Sequence, residues 1–220
     1  MIEFHLKRRG ILFLISAPSG GGKSTVLRSL IQSDKSLHYA ISATTRTKRS
    51  DEVDGEHYHF KSLDQFKDLI DEEAFIEYAL VHGNYYGTLY KETQNRLDSE
   101  QDVIIDADVQ GSLVIKERMP DTITIFILPP SIATLEKRLR SRGTDAEEQL
   151  SVRLANAREE VRYASLYDYV IVNSDIQRTI IGIQQIVEAE RRKAHRISVT
   201  DALGEIEFIS RDQALTQSPS

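Results

Sequence analysis

Three consecutive glycines, followed by a lysine and two hydroxyl residues, form the stretch of this sequence with the clearest chemical meaning. An apolar run from Ile11 precedes Gly20-Gly21-Gly22-Lys23-Ser24-Thr25, and apolar residues then recur at helical spacing. Glycines allow backbone N–H groups to converge on phosphate oxygens without a Cβ in the way. A lysine at this point reaches the terminal phosphates, and the hydroxyl after it ligates Mg²⁺. The pattern therefore predicts a phosphate-binding loop (P-loop) between a strand and a helix.

One position departs from the usual pattern of this loop, G-x-x-x-x-G-K-[ST]. Ala17 stands where the first glycine is expected. Alanine is small and tolerates negative φ, and the later glycines can supply the unusual backbone angles. The alternative is a glycine-rich turn with an exposed lysine. We interpret the whole segment as the phosphate-binding element, made of Ala17, Pro18, Ser19, Gly20, Gly21, Gly22, Lys23, Ser24 and Thr25.

A candidate metal-supporting acid follows a β-branched run, Asp102-Val103-Ile104-Ile105-Asp106. A carboxylate at the end of such a strand is typical of the acid that supports Mg²⁺ in P-loop nucleotide sites. The alternative is a buried strand closed by an ordinary turn aspartate. With a P-loop upstream, we favour Asp106 and Ser24 as the metal residues.

Strand and helix patterns alternate around these residues. This alternation predicts an α/β fold, a parallel sheet flanked by helices, with ligands bound beyond the carboxyl ends of the strands. We interpret 83–88 as a turn, 88 to about 100 as a helix, and 197–220 as polar sequence without a firm period. Strand patterns cover 11–17, Phe75–Val81, Asp102–Asp106, Ile123–Leu128 and Tyr169–Val172, and capping boxes at 62–65 and 144–147 begin two of the helices.

Composition limits the classes of protein that remain. The chain has 220 residues, which suggests one domain, and 28 Lys and Arg against 34 Asp and Glu give a net charge of −6. This balance disfavours binding to nucleic acid or to an anionic membrane. The absence of cysteine excludes disulfides and a cysteine nucleophile and fits a cytoplasmic protein. No apolar stretch approaches the ~20 residues of a membrane span.

Further motifs, in order along roughly residues 10 to 190, together resemble the guanylate kinase family. They are Ser42-Ala43-Thr44-Thr45-Arg46-x-x-Arg49, Glu52-x-x-Gly55-x-x-Tyr58, Phe75-Ile76-Glu77, Gly83-Asn84-Tyr85-Tyr86-Gly87-Thr88, Asp106-x-Asp108-x-Gln110-Gly111, Pro129-Pro130-Ser131, Arg138-Leu139-x-x-Arg142-Gly143-Thr144 and Val172-Asn173. The resemblance implies transfer of the γ-phosphoryl of ATP to GMP with Mg²⁺. It also implies a P-loop core with an inserted GMP-binding subdomain and a helical lid.

The resemblance assigns each part of the chain a place in a single domain over 1–220. The core would comprise 1–41, 91–137 and 156–196, the GMP-binding subdomain 42–90, and the lid 138–155. The polar extension 197–220 lies beyond the resemblance.

The resemblance also implies roles for individual residues. The GMP phosphate would be held by Arg46, Arg49, Tyr58 and Tyr86, the guanine would be recognised by Ser42, Glu77, Thr88 and Asp108, and Gly87 would also belong to the GMP site. Arg138, Arg142 and Arg153 would be the lid arginines, Asn173 would contact the adenine, and Lys23, Arg46 and the lid arginines would be catalytic. The chemistry supports arginine in these places, because its planar fork meets phosphate oxygens bidentately.

Two alternatives remain at this point. One is a non-catalytic guanylate-kinase-like module for protein interaction, which loss of the P-loop lysine and glycines would indicate. The other is a P-loop kinase of another small phosphorylated substrate, which the acceptor carboxylates Glu77 and Asp108 disfavour. ATP and GMP are the expected partners, without nucleic acid or membrane, and the chain is expected to be a monomer or a homo-oligomer.

Overall fold

The computed structural model describes residues 5–81, 83–141, 147–201 and 204–206 of the chain. Within these ranges the strands are β1 (His5–Arg8), β2 (Leu12–Ser16), β3 (Leu37–Tyr39), β4 (Ser42–Thr44), β5 (His59–Phe60), β6 (Phe75–Val81), β7 (Asn84–Leu89), β8 (Asp102–Asp106), β9 (Ile123–Leu128), β10 (Tyr169–Val172), β11 (Ile197–Asp201) and β12 (Gly204–Ile206). The helices are α1 (Lys23–Ser33), α2 (Leu63–Asp71), α3 (Tyr90–Asp98), α4 (Val109–Arg118), α5 (Ile132–Ser141), α6 (Glu147–Arg162) and α7 (Ile176–Arg191).

The central sheet has five strands in the order β10-β9-β2-β8-β3, and every pair in it is parallel. All five residues of the central strand β2 are buried, because helices cover both faces of the sheet. Helices α1 and α7 pack on one face through residues such as Leu30 and Ile183. Leu97 of α3 and Ile115 of α4 pack on the other face. The predicted α/β fold with a parallel sheet is therefore confirmed.

The register of the central strands brings the predicted chemical groups together. Strands β2 and β8 are neighbours, and Ile15 pairs with Asp106. The chain leaves β2 into the glycine loop and then enters α1, which begins at Lys23. The carboxyl end of β8 consequently lies beside the loop, as the sequence predicts.

A separate four-stranded sheet, in the order β5-β4-β7-β6, is formed by residues between 42 and 89. Phe66 of α2 stacks on Phe75 and Tyr85, with ring centroids 4.4 and 5.3 Å apart. The capping box that begins α2 is confirmed, because Ser62 and Gln65 exchange backbone-to-side-chain hydrogen bonds of 3.1 and 2.9 Å. Aromatic stacking and the capped helix together hold this small sheet in shape.

The predicted turn over 83–88 is wrong. Residues Asn84–Leu89 form β7, which pairs antiparallel with both β4 and β6. Gly83, with a φ of 80°, comes directly before the strand. The tyrosines and Thr88 that follow favour strands, and pairing on both sides outweighs the local turn signal.

The segment after 197 shows no firm period in the sequence, yet its described part forms two strands. Strands β11 and β12 form a three-stranded antiparallel sheet with β1, in which His5 pairs with Thr200. The partner strand lies at the opposite end of the chain, so a local pattern could not reveal the pairing. The capping box expected at 144–147 depends on Thr144, which lies outside the described residues.

No helix among the described residues combines the length and the apolar composition needed to cross a membrane.

Asp102, at the start of β8, connects the two ends of the chain. Its side chain is 0% exposed, and it accepts hydrogen bonds from Arg8 at 2.6 and 2.9 Å and from Arg191 at 2.6 Å. The backbone N–H of Ile11 donates to the same carboxylate at 2.9 Å. This buried group therefore links β1, β8 and the end of α7.

Asp102→Asn should destabilise the protein more than any exposed charge change. Removing one partner of a buried ion pair leaves uncompensated charge, at a cost of about 3 kcal/mol or more. Asp98→Asn is the matched control, because the Asp98–Arg9 pair is about half exposed on both sides. An exposed pair contributes less than about 1 kcal/mol. Urea unfolding measures both variants, and equal midpoints would contradict the structural role of Asp102.

Candidate functional site

The glycine loop adopts the backbone angles that its composition predicts. Gly20 and Gly22 have φ of 84° and 94°, and the N–H of Gly21 donates to the carbonyl of Pro18 at 2.7 Å. A Cβ added to Gly22 would lie 2.7 Å from Nδ2 of Asn173. The loop ends at the amino terminus of α1. The first backbone N–H groups of a helix have no partner within the helix, so they can bind an anion at this point.

Lys23 and Asp106 come from separate motifs and meet in space. The Lys23 Nζ lies 2.7 Å from Asp106 Oδ2 and donates to the carbonyl of Ala107 at 3.2 Å. The hydroxyl of Tyr39 donates to the other carboxylate oxygen of Asp106. Ser24 is exposed in the first turn of α1. A cationic donor, a carboxylate and a hydroxyl thus stand beside the loop.

Two of the predicted ATP-side residues, Arg138 and Asn173, donate hydrogen bonds to the backbone of the loop. Arg138 of α5 donates to the carbonyls of Gly21 and Asn173 at 3.4 and 3.2 Å. The Asn173 side chain is buried, donates to the Gly21 carbonyl at 3.1 Å and accepts from Thr179 at 3.1 Å. Both ends of the Asn173 amide are engaged within the protein, so its adenine contact stays a prediction.

Helix α6 contacts the other side of the loop. Arg153 donates to the Ser19 hydroxyl through Nη2 at 3.0 Å, and the Ser19 N–H donates to Glu160 at 2.9 Å. Arg138 and Arg153 thus both lie against the P-loop. Arg142, the third predicted lid arginine, lies outside the described residues.

A cavity of about 500 Å³ opens beside Lys23. Its wall combines the end of the central sheet with the separate sheet formed by β4 to β7. Of the predicted site residues, it brings together Lys23, Ser42, Tyr58, Glu77, Tyr86, Gly87, Asp106 and Asp108.

Two carboxylates face this cavity from different elements. The hydroxyl of Thr88 donates to Glu77 at 3.1 Å, and burial raises the pKa of Glu77 above its ordinary 4.5 despite this bond. Asp108 caps α4 by accepting from the N–H of Gly111 at 2.8 Å. Asp108 therefore combines a helix-capping role with a place in the cavity wall. Thr88 itself contacts Glu77 without lining the cavity.

Arg46 and Arg49, the arginines predicted for the GMP phosphate, lie near the side of the cavity lined by Tyr58. Arg46 pairs with Glu52 at 2.6 Å, and its guanidinium stands 5.4 Å from the ring centroid of Tyr58. The Arg46 hydrogen bonds, followed by that of the Arg49 backbone, lower the pKa of Glu52 to about 2. Tyr58 and Tyr86 contact edge to face at 6.0 Å. Glu52 thus fixes the arginine that lies over the ring of Tyr58.

Sequence reasoning did not assign roles to several residues that the structure places at the site. Tyr39 meets Asp106 across 67 positions of sequence, and Glu160 meets Ser19 across 141. No local pattern signals such contacts. Glu52 belonged to a recognised spacing, which could have indicated that it supports Arg46, and His57 is a further residue of the cavity wall.

Comparisons with known proteins give one consistent answer. The family model for guanylate kinase matches residues 9–190. The chain is 44% identical over 191 residues to a guanylate kinase of Caldanaerobacter subterraneus, covering 87% of this chain and 93% of that protein. It is 45% identical over 192 residues to a guanylate kinase of Syntrophotalea carbinolica, covering 87% and 91%.

A solved structure agrees with these sequence relatives. The crystal structure of guanylate kinase from Anaplasma phagocytophilum superposes with a TM-score of 0.68 and 33% identity, covering 88% of this chain and 92% of that one. The same family is found by sequence and by fold, and the P-loop, Asp106 and the cavity carboxylates lie within the matched range. The chain therefore belongs to the guanylate kinase family.

Proposed function

We propose, residue by residue, how this chain carries out the reaction of its family. The enzyme is an ATP:GMP phosphotransferase, which transfers the γ-phosphoryl of ATP to GMP and releases ADP and GDP. The observation that carries the assignment of roles is the cavity in which Lys23 and Asp106 stand near Glu77 and Asp108. Groups suited to phosphate and to guanine share one wall.

We assign guanine recognition to Glu77, supported by Asp108. Guanine presents two adjacent donors, N1–H and the 2-amino group, and an ionised carboxylate accepts through both oxygens. The hydroxyl of Thr88 donates to one oxygen of Glu77 and restricts rotation of the carboxylate. It does not occupy the other oxygen. Ser42 and Gly87 complete the proposed base pocket on the neighbouring strands.

We assign the GMP phosphate to Arg46, Arg49, Tyr58 and Tyr86. The pairing with Glu52 holds Arg46 against Tyr58, so the guanidinium is positioned before GMP arrives. Preorganised donors cost little reorganisation when the substrate binds. The phosphate would therefore lie at the end of the cavity nearest these arginines.

We assign the ATP phosphates to the loop 17–25, with Lys23 reaching the terminal groups. Ser24 and Asp106 present oxygen atoms, the ligand type that Mg²⁺ prefers, so the residues fit this ion. When bound, Mg²⁺ would offset the negative charge of the ATP phosphates.

The transfer step then requires positioning and neutralisation of charge. A phosphate oxygen of GMP forms the new bond to the γ-phosphorus as the bond to the β-γ bridging oxygen breaks, and ADP leaves with that electron pair. Lys23 stabilises the equatorial oxygens from the loop side, and Arg138, Arg153 and Arg142 are the proposed partners from the lid. Thus no covalent intermediate with the protein is involved.

The comparisons favour neither alternative function. The presence of Lys23 and the positive φ of Gly20 and Gly22 support phosphate binding by this loop. The separate four-stranded sheet supports the proposed subdomain 42–90, and the contacts of Arg138 and Arg153 with the P-loop support the proposed lid 138–155. A cytoplasmic location fits the cysteine-free composition.

Calorimetric titration with GMP in the absence of ATP tests the assignment of the cavity. GMP should bind to one site, and AMP at the same concentration should give no saturable heat. Asp108→Asn should weaken GMP binding, whereas Asp64→Asn, at an exposed position of α2, should not. Equal binding of GMP and AMP would contradict the proposed base pocket.

Closure around the two substrates is the second expectation. The ATP-side arginines contact the P-loop, and Arg46 follows β4 of the separate sheet, so we expect the two groups to approach for both to surround one phosphoryl group. The segment 42–49 is one proposed flexible point, and Gly143, the other, lies outside the described residues. Small-angle scattering with GMP and a non-hydrolysable ATP analogue should show a smaller radius of gyration. An unchanged radius in a saturated sample would count against closure.

A further inference from the structure

A second cavity, of about 380 Å³, lies at the opposite end of the central sheet. Leu12, the first residue of β2, and Thr122, directly before β9, form part of its floor. The P-loop begins after Ser16, at the other end of β2, which is about 13 Å of strand away. The cavity is therefore separate from the nucleotide site. We call it the basic cavity because three arginines, Arg9, Arg118 and Arg196, line it.

The three arginines have donors to spare. Arg9 uses Nε for Asp98 at 2.9 Å, and Arg118 uses one Nη for the carbonyl of Phe75. The Nε of Arg196 faces buried Glu190 at 3.5 Å, outside hydrogen-bond geometry. Among the described residues, the other guanidinium nitrogens of these arginines have no hydrogen-bond partner. A guanidinium carries five N–H donors, so most of this capacity is open to a ligand.

The acids nearby do not neutralise the cavity. Asp121 lines it, while Asp98 and Glu190 contact its arginines from outside the wall. Glu190 also pairs with Lys193 at 2.6 Å, so its charge is shared between two cations. Among the residues that line the cavity, three arginines stand against one acid, Asp121, and this local excess of positive charge in a protein of net charge −6 favours an anionic ligand.

Part of the remaining wall of the basic cavity is apolar. Ile11, Leu97, Met119, Pro120 and the ring of Tyr90 line it beside the arginines. Apolar walls with a few convergent charged groups, in a cavity of this volume, are typical of small-molecule sites. The ligand would therefore combine an anionic group with an apolar or aromatic part.

The outer wall belongs to the part of the chain beyond the family match. The guanylate kinase model ends at residue 190, and His195 and Arg196 follow it. Arg9, His195 and Arg196 also line an adjoining cavity of about 430 Å³, which gives the arginines a path to solvent. Paired arginine forks match phosphate oxygens better than a single carboxylate. We propose that the basic cavity binds a small phosphate monoester whose organic part packs on the apolar wall.

Met119 supplies a direct reporter, because the chain has two methionines, Met1 and Met119. Protein labelled at the methionine methyl carbons should give two signals, and Met119→Leu identifies the one from the cavity. A bisubstrate analogue, adenosine and guanosine joined through five phosphates, first blocks the nucleotide site. Phenyl phosphate is then the probe, and benzyl alcohol is its neutral counterpart.

We expect phenyl phosphate to shift the Met119 signal saturably and benzyl alcohol to leave it without a saturable shift. Arg9→Gln should weaken the probe about tenfold, the effect of losing one charge-assisted contact. This variant should fold, because the Arg9–Asp98 pair is exposed. Arg162→Gln removes the same charge from an exposed pair on α6 and should bind as wild type does. A stationary Met119 signal, or equal binding by Arg9→Gln, would overturn the proposal.

Discussion

Glu77→Gln should lower kcat/KM for GMP by at least ~10²-fold while leaving the KM for ATP nearly unchanged, because a neutral amide replaces the charged acceptor of the two guanine donors. The amide places a donor where guanine also presents donors, so one contact becomes repulsive. The side chain keeps its size, and Thr88 can still donate to the amide oxygen. The expected loss is therefore in recognition of the base and leaves the fold intact.

Steady-state kinetics with GMP varied at saturating ATP measures this effect. Glu56→Gln is the control, because it removes the same charge from an exposed loop of the same subdomain. If kcat/KM for GMP in Glu77→Gln stays within about threefold of wild type, less than ~1 kcal/mol, another residue recognises guanine.

Lys23→Ala should lower kcat by at least ~10²-fold, the scale for losing one preorganised charge partner of the transition state. The lysine begins α1 directly after the glycine loop and faces Asp106 at 2.7 Å. Its removal leaves Asp106 bonded to Tyr39 and leaves the buried residues of α1 in place. Thermal unfolding followed by circular dichroism should therefore remain cooperative.

The matched control for this variant is Lys67→Ala, an exposed lysine on α2. It should retain wild-type turnover in the same coupled assay. Near-normal turnover by folded Lys23→Ala would defeat the assignment of the P-loop.

Local signals were sufficient for the central sheet and the loop. The apolar run of β2 has no alternation because both faces are buried, and the glycines and Lys23 follow at fixed spacing. Asp106 could be predicted for the same reason, since it ends a β-branched strand. These features depend on neighbours in sequence, which a single sequence displays.

Contacts between distant parts of the chain could not be predicted in this way. Strand β11 pairs with β1 across nearly the whole chain, and buried Asp102 bonds Arg8 and Arg191 from opposite ends. Strand β7 was missed because Gly83 and Asn84 give a strong turn signal, whereas pairing with β4 and β6 decides the conformation. At the site, Tyr39 and Glu160 were missed for the same reason of distance along the chain.

Turnover with four nucleoside monophosphates tests the central claim most directly. Purified enzyme with Mg²⁺ and ATP is assayed for ADP release against GMP, AMP, CMP and UMP at equal concentrations. We expect GMP to be preferred by ~10⁴-fold or more in kcat/KM over AMP, because a buried carboxylate left without its donors rejects the wrong base. Comparable turnover of AMP, or no turnover with any of the four by folded enzyme, would contradict the account.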